Sequence, residues 1–122
     1  MCEGTTEEGA PTFEVAAYDH GSTRMLVVRG ELDMAYRAAL EEAVDVALIL
    51  PPGRLVIDFS ETAFIDSTGV HCLRHAARSA HQHQVRFEVR PARRGIHRMF
   101  ELTGTVLEFP FLSVEGGDGG ST

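Results

Sequence analysis

The sequence has no lysine and no tryptophan, and it carries only two cysteines, Cys2 and Cys72. One cysteine sits in a polar terminal stretch and the other in a helical pattern, so they are no disulfide framework. A redox pair stays open on that spacing. Without lysine there is no Gly-Lys-Ser/Thr and therefore no P-loop. The nucleophile elbow Gly-x-Ser-x-Gly is missing too, because Ile65 stands where its first glycine would precede Ser67. No window approaches the ~18 consecutive apolar residues of a membrane span. Residues 1–8 are acidic and hold no apolar run, which argues against a secretory signal and makes a cytoplasmic location the expectation.

What is present fits one small domain. The chain has 122 residues, 43% apolar and 24% charged, which is an ordinary globular composition. The net charge of −7 argues against nucleic acid and anionic membrane as partners. Much of that charge is terminal: Glu3, Glu7, Glu8, Glu115 and Asp118 face no base, and without them 13 acids meet 11 arginines. Residues 1–11 and 115–122 read as flexible tails, acidic and Gly-rich respectively, around a domain at 12–114. Inside it the acids Glu31, Asp33, Glu41, Glu42 and Asp45 cluster early, and seven arginines cluster between Arg74 and Arg98. A charged protein partner could read that polarity; a solvated mixed surface explains it equally well.

Periodicity predicts the elements. Phe13–Tyr18 and Met25–Arg29 read as a hairpin around the turn at 19–23. Asp33 is a good N-cap for a helix to about Ile49, with Tyr36, Leu40, Ala43, Val44, Ala47 and Leu48 on one face. Pro51-Pro52-Gly53 stops it. Leu55–Phe59 is nearly continuous in apolar character, as in a central strand covered on both faces. A second helix is predicted from about Thr68 to His83, with Val70, Leu73, Ala76, Ala77 and Ala80 inward. Val85–Val89 alternates as a strand. Pro91 opens a third helix with Ile96, Met99 and Phe100 inward, and Gly104 suits the residue after its end. Val106–Leu112, interrupted by Pro110, reads as a last edge strand. The expected fold is α/β in the order ββαβαβαβ: a mixed, mostly parallel sheet of about five strands with three main helices.

In such sheets functional residues gather at strand C-terminal ends and helix N-termini. Two places qualify, Gly30–Asp33 and Asp66-Ser67-Thr68-Gly69. Asp66 is placed to cap the second helix. A phosphate on Ser67 would meet the helix's unpaired N–H groups, while Asp66 would repel it. Capping and close packing alone would also account for this residue choice.

Arg54-Leu-Val-Ile-Asp-Phe-Ser-Glu-Thr-Ala-Phe-Ile-Asp-Ser-Thr-Gly-Val70 resembles the signature of STAS domains, and specifically of anti-sigma factor antagonists. Gly30-Glu-Leu-Asp33 and Arg98-Met-Phe-Glu-Leu-Thr-Gly104 are similar to two further family segments. The likeness runs from about Phe13 to Phe111. It implies a STAS fold without catalytic activity or cofactor. It implies that Ser67 is the serine phosphorylated by an anti-sigma factor serine kinase and that Asp33 is an acid beside it, associated with kinase contact. Unphosphorylated protein would bind the anti-sigma factor and free a sigma factor, and a phosphatase would reset phosphorylated Ser67. The chain departs from the family at Val70-His71-Cys72, where Leu-Gly-Val is frequent, and at Gly95, where a better helix former is usual.

The expected partner surface is Asp33, Asp66, Ser67, Thr68, Gly69, His71, Arg74 and Arg78. His71, Arg74, His75 and Arg78 suggest an exposed basic strip just after Ser67. His71 and His75 lack an evident third ligand, so no metal site is expected. Cys72 reads as a small packed residue. Two other readings remain: a STAS module sensing a small ligand or nucleotide near Asp33 and Ser67, and a hydrolase using Ser67.

Overall fold

The computed structural model describes residues 13–112. The expected tails, and Cys2 with them, lie outside the described residues. Two long strands open the fold, β1 (Phe13–His20) and β2 (Thr23–Leu32), joined by the two-residue turn Gly21-Ser22. Both run further than the apolar alternation suggests, because cross-strand pairing continues through the polar residues from Asp19↔Arg24 to His20↔Thr23.

A single 3₁₀ turn at Met34–Tyr36 leads into helix α1 (Arg37–Ala47). Then come β3 (Arg54–Asp58), β4 (Thr62–Ile65), α2 (Thr68–Gln82), β5 (Arg86–Arg90) and α3 (Arg94–Leu102). The sheet order is β1-β2-β3-β5, with β4 also on β2; β1 is antiparallel and the remaining pairings are parallel. The fold is therefore the expected mixed α/β class, with five strands and three helices among the described residues.

The element order differs from expectation in two places. The first is β4, which sequence periodicity does not predict. Strand β2 is long enough to pair twice along one edge, its first half with β3 and its last three residues with β4. Between the two ladders the chain turns at 59–61, where the Asp58 carboxylate accepts the Ser60 N–H at 2.7 Å. The Thr62 hydroxyl then donates to the Val28 carbonyl at 2.7 Å and fills the gap. Register shifts between Gly30 and Glu31, and Gly30 takes φ +93°, a conformation that only glycine adopts without strain. The second difference is Val106–Leu112. It forms a 3₁₀ turn at Thr105–Leu107 and a single parallel bridge, Val89↔Phe111, in place of a strand. Gly104, at φ +78°, ends the helical path as predicted, and Pro110 has no N–H for a ladder. Helix α3 starts at Arg94, three residues later than Pro91.

The helices pack on one face of the sheet. Leu26, Val28, Leu55, Ile57, Phe87 and Val89 form its floor, against Leu40, Val44 and Leu48 from the first helical region and Val70, Leu73, Ala76 and Ala80 of α2. Phe100 of α3 stacks on Phe59 at 5.8 Å, inward as predicted, with Ile96 half-buried; the Met99 side chain lies outside the described residues. The opposite sheet face carries cross-strand ion pairs, Arg29 with Glu14 and Glu61 and Arg54 with Glu88. Val27 and Val56 on this face are buried as well, so β3 is buried on both faces although the helices cover one.

Candidate functional site

Parallel pairing decides where the two candidate turns lie. Leu32 and Ile65 are register partners at the ends of β2 and β4. The next residues, Asp33 and Asp66, therefore leave the sheet side by side, and the Asp66 N–H still reaches the Leu32 carbonyl at 3.3 Å. Each aspartate then makes the same local turn. The Asp33 carboxylate accepts the Ala35 N–H at 3.0 Å, and the Asp66 carboxylate accepts the Thr68 N–H at 2.8 Å. Both are caps that satisfy otherwise orphaned helix donors.

Ser67 sits between the cap and the helix. Its backbone is helical, at φ −62° and ψ −14°, and its carbonyl accepts from Val70 at 3.0 Å. Its side chain is exposed and takes no part in capping. One expectation needs correction here. The Thr68 N–H is held by the Asp66 carboxylate, and the Gly69 N–H by the Asp66 carbonyl at 2.9 Å. A phosphate on Ser67 would gain neither donor.

Thr68 and Gly69 support the turn and present no surface. Thr68 is 1% exposed. A Cβ on Gly69 would lie 2.6 Å from Ile65 Cγ2 and 3.3 Å from Phe100 Cζ. Only a glycine lets the start of α2 approach β4 and α3 this closely.

Past the turn, His71, Arg74 and Arg78 are exposed along α2, as the expected strip requires. His75 is not free within that strip: its Nε2 lies 2.8 Å from the Asp45 carboxylate on α1. Arg74 pairs with Glu108 at 3.1 Å. The acidic and basic clusters of the sequence thus meet partly within the molecule. Cys72 is fully buried, with its thiol toward the Arg37 carbonyl at 3.9 Å. Burial first, and Glu41 second, push that thiol up to about 12. The thiol is therefore protonated at neutral pH and shielded from solvent, as the reading of Cys72 as a small packed residue expects. Among the described residues no group of three His, Cys, Asp or Glu could hold a metal ion, and no helix is long and apolar enough to cross a membrane.

Two side chains near the turns escape the sequence reading. Met34, just after Asp33, is 66% exposed, and Phe64, just before Ile65, is 47% exposed. Phe64 is the register partner of Glu31 on β2. Recognising β4 as a strand would have shown Phe64 pointing away from buried Ile65.

Comparison with known proteins agrees with this geometry. A family model described as "Mlab, STAS domain" matches residues 15–106. An anti-sigma-F factor antagonist, RsfB of Mycobacterium tuberculosis, is 37% identical over 62 residues, 51% of each chain. The chain spans about half the length of the curated relatives it matches. An anti-sigma factor antagonist from Mycobacterium paratuberculosis superposes with a TM-score of 0.76 at 30% identity, over 88% of this chain and 92% of that one. Unphosphorylated SpoIIAA, another anti-sigma factor antagonist, shares the fold with a TM-score of 0.65 at 17% identity, over 86% and 91%. With its Asp-Ser-Thr-Gly turn at the head of α2 and a match across most of its length, the chain belongs to the STAS domain family, alongside the anti-sigma factor antagonists.

Proposed function

We propose that the protein is a phosphorylation-switched anti-sigma factor antagonist. Unphosphorylated, it binds an anti-sigma factor serine kinase in the cytoplasm and frees a sigma factor. The kinase phosphorylates Ser67, the complex separates, and a phosphatase restores the hydroxyl. The chain acts by binding and regulates transcription through partner switching.

The observation that carries this reading is the state of the Ser67 side chain. It is exposed at a helix tip, while the other polar groups of its turn are already engaged. A phosphate would add about −1.5 to −2 charges. Asp33 and Asp66 stand on adjacent strand ends, and the Thr68 and Gly69 donors are occupied, so the turn would offer the new charge little compensation. The dianion would face a docked partner directly. Each 1.4 kcal/mol of mismatch across that contact weakens binding about tenfold, and an unpaired charge buried in an interface costs about 2–5 kcal/mol. Asp33, Asp66 and Ser67 would form the centre of the contact, with His71, Arg74 and Arg78 on one side and Met34 and Phe64 as apolar anchors.

The decisive experiment combines a pull-down with mass spectrometry. Ser67→Ala should retain an anti-sigma factor kinase from cytosol, and Ser67→Glu should not. That kinase with ATP should add one phosphate to the wild type, at Ser67. Equal retention by both variants would refute the switch.

A further inference from the structure

Strand β1 ends the sheet. One of its edges pairs with β2, and no described strand pairs with the other. Alternate residues of this eight-residue strand turn their backbone donors and acceptors to that free edge, a template for another strand. Above that edge, Val15, Ala17, Arg24 and Leu26 of the hairpin and Ala43, Val46 and Ala47 of α1 line an open groove of about 290 Å³. The groove is mainly apolar, and Ala17 is exposed within it although it faces the helix side. The apolar surface continues past α1, where Val46, Ile49 and Leu50 are 57%, 71% and 76% exposed. A patch of this kind beside an open edge marks an interaction site.

We propose that a second copy of the chain docks here, with β1 antiparallel to β1 about a two-fold axis through Ala17. Charge selects this register. It sets Glu14 opposite His20 of the second copy, a favourable pair. A register centred on Ala16 or on Tyr18 would set Glu14 opposite Tyr18 or beyond the end of the second strand, and would make no such pair. The axis keeps both α1 helices on one face of the continuous sheet. Strands lie about 4.8 Å apart and α1 contacts both β1 and β2, so the two α1 helices would sit about 10 Å apart, the spacing at which helices pack. The Ala43 and Val46 sides would then face each other, and the groove would be closed by its own copy in an isologous contact. The last turns of α1 lie away from the Ser67 turn, so pairing leaves that turn open.

Sedimentation velocity of the full chain across the micromolar range tests the proposal. The wild type should pass from monomer to dimer with rising concentration. Ala17→Glu places two carboxylates face to face on the axis and should raise the dimer Kd at least about tenfold. Ala17 is exposed in the monomer, so the variant should unfold at the wild-type temperature. His20→Glu should weaken the dimer and His20→Lys should keep it. A wild type that stays monomeric throughout, or an Ala17→Glu variant that dimerises equally well, would overturn the proposal. So would concentration-independent protection of the outward-pointing amides of Val15, Ala17 and Asp19 in hydrogen exchange, which would mean that another part of the same chain covers the edge.

Discussion

Gly69 and Gly95 make a matched pair, because each is the second residue of its helix and each accepts the same change to alanine. The gain in helix propensity is nearly common to both, at most about 0.5–1 kcal/mol and less in a first turn. Their surroundings differ. At Gly95 a Cβ meets nothing within 4 Å, whereas at Gly69 it meets Ile65 Cγ2 at 2.6 Å and Phe100 Cζ at 3.3 Å. Ile65 is 6% exposed and Phe100 fully buried, so neither can move aside cheaply. Overpacking of this kind costs about 1–3 kcal/mol. Gly95→Ala should therefore stabilise by about 0.5 kcal/mol, and Gly69→Ala should destabilise by roughly 1–2 kcal/mol. For a chain of this size that is a fall of about 4–8 °C in Tm against a rise of a degree or two. Urea and thermal unfolding of the two variants beside the wild type measure the difference. If Gly69→Ala proved as stable as Gly95→Ala, the close approach of α2 to β4 and α3 would be wrong, and the placement of Ser67 with it.

Other changes test the remaining contacts. Asp66→Ala should cost about 1 kcal/mol in chemical denaturation through loss of the Thr68 cap, while Asp66→Asn, which still offers an acceptor, should cost only a few tenths. His97 is 6% exposed among Phe100 and Phe111, its Nδ1 has no hydrogen-bond partner, and burial lowers its pKa below the ordinary 6.5. The unfolded chain therefore binds the proton more readily, so this contribution is complete above about pH 6.5 and is lost as the pH falls through the depressed value. His97→Phe should flatten the acid side of the stability–pH curve, and an unchanged slope would exclude His97 as its cause. In a Cys2→Ser background, Cys72 should react with a thiol reagent only when urea unfolds the protein; reaction under native conditions would contradict its burial.

Much of this architecture is written locally. Helix α2 begins and ends where its apolar spacing and the Asp66 cap place it, because that helix depends on its own turn chemistry and one buried face. The Asp58 and Thr62 contacts that create β4 are different. Thr62-Ala63-Phe64-Ile65 becomes a strand because β2 runs on past its pairing with β3 and its last three residues offer a free edge, a fact of tertiary pairing that no four-residue window contains. The reverse error at 106–112 has the same origin. Its valine and phenylalanines suggest a strand, yet Phe111 is drawn inward by the aromatic group of His97 and Phe100, and it pairs only once. At the site, the exposed serine and its aspartates were legible as motif residues. The occupied donors and the fit of Gly69 against Phe100 were not, since they join residues that only the fold brings together.

Strand β2 also has a mechanical meaning. It is gripped on one side by the hairpin, on the other by two successive ladders, and at its tip by the Asp66 N–H. It therefore works as the ruler from which the position of Ser67 is measured. A residue deleted between Leu26 and Gly30 would shorten that ruler by one step and reverse its inside and outside. The serine would be mispositioned although every residue of its own turn was intact, so under the proposed switch loss-of-switching variants should arise in the first hairpin as well as beside Ser67.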